Sequence, residues 1–119
     1  MSELESKIQR RCQQILKDNG AFAFKTHGDM YTRTGIPDIV ACIPMTVEQL
    51  KILLNENWFK DDKVGIFVGL EIKRRNQLDD VSKAQQIVGK EIKNAGGMWF
   101  AIDDSDYVRA ILAKIKGEI

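Results

Sequence analysis

The chain has 119 residues, of which 44% are hydrophobic and 29% are charged, a composition typical of one globular domain spanning residues 1–119. Its formal net charge of +1 gives no sign of nucleic-acid binding through overall charge, so any basic surface must be local. No apolar run approaches the ~18 residues of a membrane span and the N-terminus has no apolar signal segment, so we expect a cytoplasmic protein without a membrane partner.

Hydrophobic periodicity and turn residues divide the chain into helices and strands. In chain order we predict a helix over 2–18, strands over 21–26 and 39–43, a short helix over about 46–55, a strand over about 65–73, a helix over 82–95, a strand over 98–102 and a helix from about 105. The strand–helix–strand step near the C-terminus predicts a parallel crossover inside a mixed sheet. The sequence therefore predicts an α/β fold.

Apolar positions indicate which faces are buried. The first helix is expected to pack through a stripe at helical spacing, formed by Leu4, Ile8, Cys12, Ile15 and Leu16. The strand at 39–43 is apolar on both faces and is expected to be central. The two cysteines, Cys12 and Cys42, follow no metal-ligand spacing and are interpreted as free buried thiols.

Glu71 and Lys73 are the first candidate site residues. Because they are two apart on a predicted strand they share one face, and Leu70 and Ile72 are expected to point into the core. Placing a carboxylate and an ammonium together at the end of an apolar strand costs desolvation free energy, which favours a functional purpose. Taken alone, however, a salt bridge on an edge strand is the simpler interpretation.

Asp38 closes the segment Gly-Ile-Pro-Asp at 35–38, at the mouth of an apolar strand, where ligands bind in open α/β sheets. Alone it is more simply a turn residue. Together with Glu71 on a neighbouring strand, Asp38 would hold a hard cation. That cation would be Mg²⁺, and Mn²⁺ could substitute for it. The ion would activate water for attack on a phosphodiester, and Lys73 would orient that water or stabilise charge on the phosphate.

Competing chemistries lack their motifs. His27 is the only histidine, so no Ser-His-Asp or Cys-His arrangement is available, and the absence of a P-loop argues against a nucleotide cofactor.

The motifs together resemble a known family. Its supporting stretches are Glu-Ser-Lys-Ile-Gln at 5–9, Gly-Ile-Pro-Asp at 35–38, Leu-Glu-Ile-Lys at 70–73, Ser-Lys-Ala-Gln at 82–85 and Ala-Gly-Gly at 95–97. In this order they resemble the VRR-NUC (virus-type replication-repair nuclease) domain of the PD-(D/E)XK nuclease superfamily, over nearly the whole chain. The resemblance implies a restriction-endonuclease-like αβββαβα core with a mixed central sheet flanked by helices. One departure is the 32 residues between Asp38 and Glu71, which hold the short inserted helix.

The resemblance extends the site. It implies that Glu5 lies near the metal, that the backbone carbonyl of Ile72 is a further ligand, and that Gln85 helps to position Lys73. Ser2 with Glu5 and Ser82 with Gln85 are also capping-box patterns, which stabilise helix starts without any catalytic role.

Basic residues near the predicted site are candidate phosphate contacts: Lys25, His27, Arg33, Arg74, Arg75 and Lys83. Taken alone, each of these residues is also interpreted as an ordinary solvated surface residue. Tyr31 is a candidate for stacking at a branch. The resemblance implies a homodimer acting on branched DNA in a bacterial or phage-infected host cytoplasm, because small stand-alone members resemble Holliday-junction resolvases. The inserted helix with Trp58-Phe59 and the last helix are both candidates for the dimer interface.

Three functions stay open on the sequence. The first is a Mg²⁺-dependent endonuclease of branched DNA, the second a nuclease of flapped or linear duplex, including a restriction-like enzyme, and the third a non-catalytic nucleic-acid-binding scaffold. The presence of Asp38, Glu71 and Lys73 argues against the scaffold.

Overall fold

The computed structural model describes residues 3–27 and 33–118. Within these residues the helices are α1 (Glu3–Asp18), α2 (Val47–Asn55), α3 (Lys83–Asn94) and α4 (Asp106–Ile115), and the strands are β1 (Phe22–Lys25), β2 (Ile39–Cys42), β3 (Val68–Ile72) and β4 (Met98–Ile102). The predicted elements are confirmed in type and order, each to within a few residues. None of the helices in these ranges is both long and apolar enough to cross a membrane.

The strands form two pairs. β1 and β2 are antiparallel, with Lys25 opposite Ile39, whereas β3 and β4 are parallel, with Ile72 opposite Ile102. α3 joins β3 to β4, which confirms the predicted parallel crossover. Within the described residues each pair is a separate two-stranded sheet, and β2 is not hydrogen-bonded to β3. The α/β class is confirmed. Residues 3–27 and 33–118 do not form the predicted single mixed central sheet, and the β2–β3 connection runs through α2 and a 3₁₀ turn at Lys60–Asp62.

α3 lies across β4 at close range. A capping box starts the helix: the Ser82 hydroxyl accepts from the backbone N–H of Gln85, whose side-chain carbonyl accepts from the Ser82 N–H. Gly89 faces the Trp99 indole so closely that a Cβ atom there would stand 2.5 Å from the ring. The contact therefore requires glycine at this position, and it fixes the helix against the sheet.

α1 packs through a different face from the predicted one. Ile8, Cys12 and Ile15 are exposed, whereas Gln9 is buried and Gln13 and Leu16 are half-buried. The prediction that Cys12 is a buried thiol is therefore wrong, and only Cys42 is buried. On the buried face of the helix, Gln9 contacts Asp38 beside β2. An apolar stripe is left facing outward.

β3 also reverses the expected assignment of its faces. The alternation itself is confirmed, but Leu70 and Ile72 are exposed, Ile72 by 65%, while Glu71 and Lys73 are half-buried. The covered face is the one that carries Gly69, whose missing side chain lets Ile92 of α3 and Trp99 of β4 approach. The predicted burial of Leu70 and Ile72 is therefore wrong, because α3 covers only the Glu71 face of the strand.

Candidate active site

Asp38 sits at the entrance to β2, where the end of β1 fixes its backbone. The Thr26 N–H donates to the Asp38 carbonyl at 3.0 Å, and the Thr26 hydroxyl donates to the Pro37 carbonyl at 2.6 Å. Gly35 forms the tight bend before Pro37 and Asp38, with a φ of +88° that favours glycine. The segment 35–38 is therefore a defined turn that presents an exposed carboxylate at a strand end.

The Asp38 side chain has a partner that the sequence did not indicate. The side-chain amide of Gln9 on α1 donates to one Asp38 carboxylate oxygen at 3.2 Å. Gln9 is only 9% exposed and is the one buried polar residue of the described chain. Its own carbonyl oxygen, Oε1, is fully shielded and accepts no hydrogen bond from any described residue. One oxygen of Asp38 is thus held by α1.

Glu71 and Lys73 form an enclosed ion pair. The Lys73 ammonium lies 3.7 Å from a Glu71 carboxylate oxygen, and the Lys73 and Glu71 side chains are only 17% and 26% exposed. By contrast, the Lys51–Glu48 pair on α2 has side chains that are 65% and 82% exposed. The backbone N–H of Lys73 donates to the Ile102 carbonyl at 2.9 Å, which extends the β3–β4 ladder by one residue. The pair is therefore held on rigid backbone and differs from an ordinary surface salt bridge.

The predicted metal ligands fall on separate elements. Asp38 precedes β2 and Glu71 lies on β3, two strands that are not paired with each other in the described chain. No set of three or more His, Cys, Asp or Glu residues in the described ranges is arranged to hold a metal ion, so Glu5, Asp38 and Glu71 do not form such a set. Mg²⁺ commonly takes one or two carboxylates and fills its remaining positions with water and phosphate oxygens. Asp38, Glu71 and the Ile72 carbonyl suit that kind of donor set, and their convergence stays a prediction.

Glu5 and Gln85, two of the residues that the resemblance adds to the site, have different surroundings. Glu5 is exposed on α1, one helical turn before Gln9 and on the same side of the helix. Gln85 uses its side-chain carbonyl in the α3 capping box, so in the described chain it bonds to Ser82 and not to Lys73. Its proposed role in positioning Lys73 is not supported by this contact.

The candidate phosphate contacts lie on the surface. Those described are exposed: Lys25, His27, Arg33, Arg74, Arg75 and Lys83. Lys25 and His27 flank Thr26, which bonds to the Asp38 carbonyl, and Arg74 directly follows Lys73. The Arg75 guanidinium lies 2.6 Å from a carboxylate oxygen of Asp104. The Arg75 side chain is exposed, so it could leave Asp104 and bind a phosphate instead. Tyr31 lies outside the described residues.

Cys42 is structural. Burial raises the pKa of its thiol, and its Sγ lies 3.5 Å from the Ala95 carbonyl. A thiol that resists ionisation is a poor nucleophile, so Cys42 is a core residue rather than a competing reactive group.

Comparison of the chain with models of protein families, with curated proteins and with solved structures finds no match in any of the three. The VRR-NUC resemblance accordingly rests on the motifs in the sequence.

Proposed function

We propose that the protein is a metal-dependent endonuclease that hydrolyses phosphodiester bonds in branched DNA, as VRR-NUC-like Holliday-junction resolvases do. The observation that carries the proposal is the enclosed Glu71–Lys73 pair on β3. Shielding two opposite charges from water is costly, and an apolar pair in their place would often be as stable. A partly buried charge pair of this kind is favoured as a functional site when a third ionisable group, Asp38, is held in place at a strand end.

Each residue has a defined task in this proposal. Asp38, Glu71 and the Ile72 carbonyl would hold Mg²⁺ or Mn²⁺. When bound, the ion supplies Lewis-acid polarisation of the phosphate and lowers the pKa of a bound water. Lys73 provides a positive charge within 3.7 Å of Glu71, where it stabilises negative charge that builds on the phosphate or orients the attacking water. Lys25, His27 and Arg74 bind the DNA backbone, which favours recognition of DNA shape over base sequence.

A substrate panel with a metal titration tests the function. We expect cleavage of a four-way junction with Mg²⁺ or Mn²⁺, none in the presence of a chelator, and slower cleavage of flap, splayed-arm and linear duplexes of matched sequence. Equal or faster cleavage of flap or linear DNA would favour the second nuclease hypothesis. Junction binding without cleavage under any metal, together with no metal binding by calorimetry, would instead identify a scaffold.

A homodimer is the partner arrangement we propose. The chain exposes 9814 Å², about half as large again as the roughly 6,500 Å² expected for a monomer of 13.5 kDa. Its radius of gyration is 16.9 Å, against about 13.5 Å for a compact chain of this length. An obligate dimer interface, which buries about 1,000–2,500 Å² on each partner, would cover part of this excess. Apolar residues supply part of it, on the outer face of β3, on α4 and beside Trp58, which is 71% exposed.

Light scattering on the purified protein tests the dimer. For the wild type we expect twice the 13.5 kDa chain mass. We expect dissociation or much weaker association in one of three charge variants: Val68→Glu on β3, Trp58→Glu after α2 or Ile115→Glu on α4. Each places a charge on one exposed apolar surface, so the variant that dissociates identifies the interface. Lys90→Glu, at an exposed position of α3, serves as the control. A wild-type mass of one chain at all concentrations, with and without junction DNA, would rule the dimer out.

A further inference from the structure

Gln9 carries a feature that a purely structural role does not explain. It is a helix residue of α1 whose side chain is nine-tenths buried, and its Oε1 is shielded from solvent without a hydrogen-bond donor in the described chain. A buried acceptor without a partner is destabilising, because its hydration is lost and nothing replaces it. An apolar side chain of the same length would avoid that cost.

The other end of the same amide makes a specific contact. Gln9 Nε2 donates to Asp38 Oδ2 at 3.2 Å, and this bond joins α1 to the turn before β2 across 29 residues of sequence. The amide cannot be turned round to satisfy Oε1, because the carbonyl would then face a carboxylate that only accepts hydrogen bonds. Gln9 therefore holds the Asp38 side chain in place, although the burial of its Oε1 lowers the free energy of unfolding.

We propose that Gln9 is the positioning residue of Asp38 at the metal site, an inference that rests on the proposed function. With Oδ2 occupied by the amide, the carboxylate has one defined orientation and its Oδ1 is left for the cation. Holding a ligand before the ion arrives removes the cost of ordering that side chain on binding. An uncompensated polar atom is the kind of local cost that proteins retain at functional sites.

Gln9→Met tests this assignment, because methionine matches the length of glutamine and removes both the NH₂ donor and the carbonyl acceptor of its amide. We expect the affinity for Mn²⁺, measured by calorimetry without DNA, to fall about 10- to 100-fold, the range for loss of an outer partner of a metal ligand. The thermal midpoint of unfolding should stay unchanged or rise. A purely structural role predicts the opposite, a lower midpoint with Mn²⁺ affinity preserved.

The same helix offers a matched control. Gln14 donates its side-chain amide to Asp18 at 2.8 Å, so α1 holds a second glutamine–aspartate bond that is exposed to solvent. Gln14→Met should change neither Mn²⁺ affinity nor the midpoint. A change in Mn²⁺ affinity equal to that of Gln9→Met would overturn the assignment.

A double-mutant cycle with Asp38→Ala, which removes the acceptor of the Gln9 hydrogen bond, separates positioning from indirect effects. If Gln9 acts through Asp38, Gln9→Met should further weaken Mn²⁺ binding little or not at all in the Asp38→Ala background. Fully additive losses would overturn the inference, and so would a Gln9→Met affinity within about twofold of wild type, well below the expected loss. The proposed function fails separately: if wild type binds no Mn²⁺, both fall, whereas metal binding that depends on Asp38 but not on Gln9 defeats only the inference.

Discussion

Asp38→Asn is expected to abolish cleavage of the four-way junction, with a loss of about 10³-fold or more, because it removes the charged ligand at the mouth of β2. Asparagine keeps the shape of the side chain and can still accept the bond from Gln9, so the turn should persist. Asp38 is exposed, and its replacement should therefore change the free energy of unfolding by no more than about 0.5 kcal/mol. Single-turnover cleavage, Mn²⁺ calorimetry and thermal unfolding together check the expectation.

Asp18→Asn is the matched control for this variant. Asp18 also accepts a hydrogen bond from a glutamine amide on α1, but it lies at the end of the helix and is exposed. We expect wild-type cleavage and Mn²⁺ affinity from it. Cleavage by Asp38→Asn at the wild-type rate under the same metal would remove Asp38 from the site and with it the proposed metal chemistry.

The elements of the fold were predictable because their signals are local. β4 was predicted to its end residues, and the capping box at Ser82 forms with the predicted partner, Gln85. A capping box needs only four consecutive residues, and a strand shows its alternation in five. These features depend little on the rest of the chain.

The faces of the elements were less predictable because burial depends on what lies opposite. α1 shows an apolar stripe in the sequence, yet Ile8, Cys12 and Ile15 of that stripe are exposed and the side with Gln9 packs inward. On β3 the pattern gave the correct alternation, but Leu70 and Ile72 are on the uncovered side. If a second copy covers the outer face of β3, which is one of the surfaces we propose for the dimer, the apolar residues of that face are explained by the dimer rather than by one chain.

The site shows the same division between local and distant signals. Asp38, Glu71 and Lys73 were chosen from their neighbours in the sequence, and the Glu71–Lys73 pair forms on one face of β3 as expected. Gln9 was missed because its importance comes from a contact 29 residues away. A glutamine one turn after Glu5 on the same helix side was the available signal, and it gains meaning only when the position of Asp38 is known.

Lys73→Met should reduce junction cleavage by about 10²- to 10³-fold, because it removes the positive charge that Glu71 holds at the site. DNA and Mn²⁺ binding should persist, since Lys73 contributes neither an oxygen ligand nor most of the basic surface. The variant leaves a half-buried carboxylate without its partner, so a loss of about 1–2 kcal/mol in the free energy of unfolding is also expected, between the values for exposed and for buried pairs.

Lys73→Arg separates the catalytic role from the stabilising one. A guanidinium restores the ion pair with Glu71 and should recover much of the lost stability, but its planar, bulky head cannot replace a compact ammonium at a phosphate, so cleavage should remain impaired. Lys51→Met is the control, because it breaks a lysine–glutamate pair at 3.5 Å on exposed α2 and should alter neither cleavage nor stability measurably. If Lys73→Arg instead cleaves at the wild-type rate, position 73 needs only a positive charge, and the compact shape of the ammonium is not required. Full cleavage by Lys73→Met would show that the enclosed pair on β3 is structural, and the nuclease proposal would lose the observation that carries it.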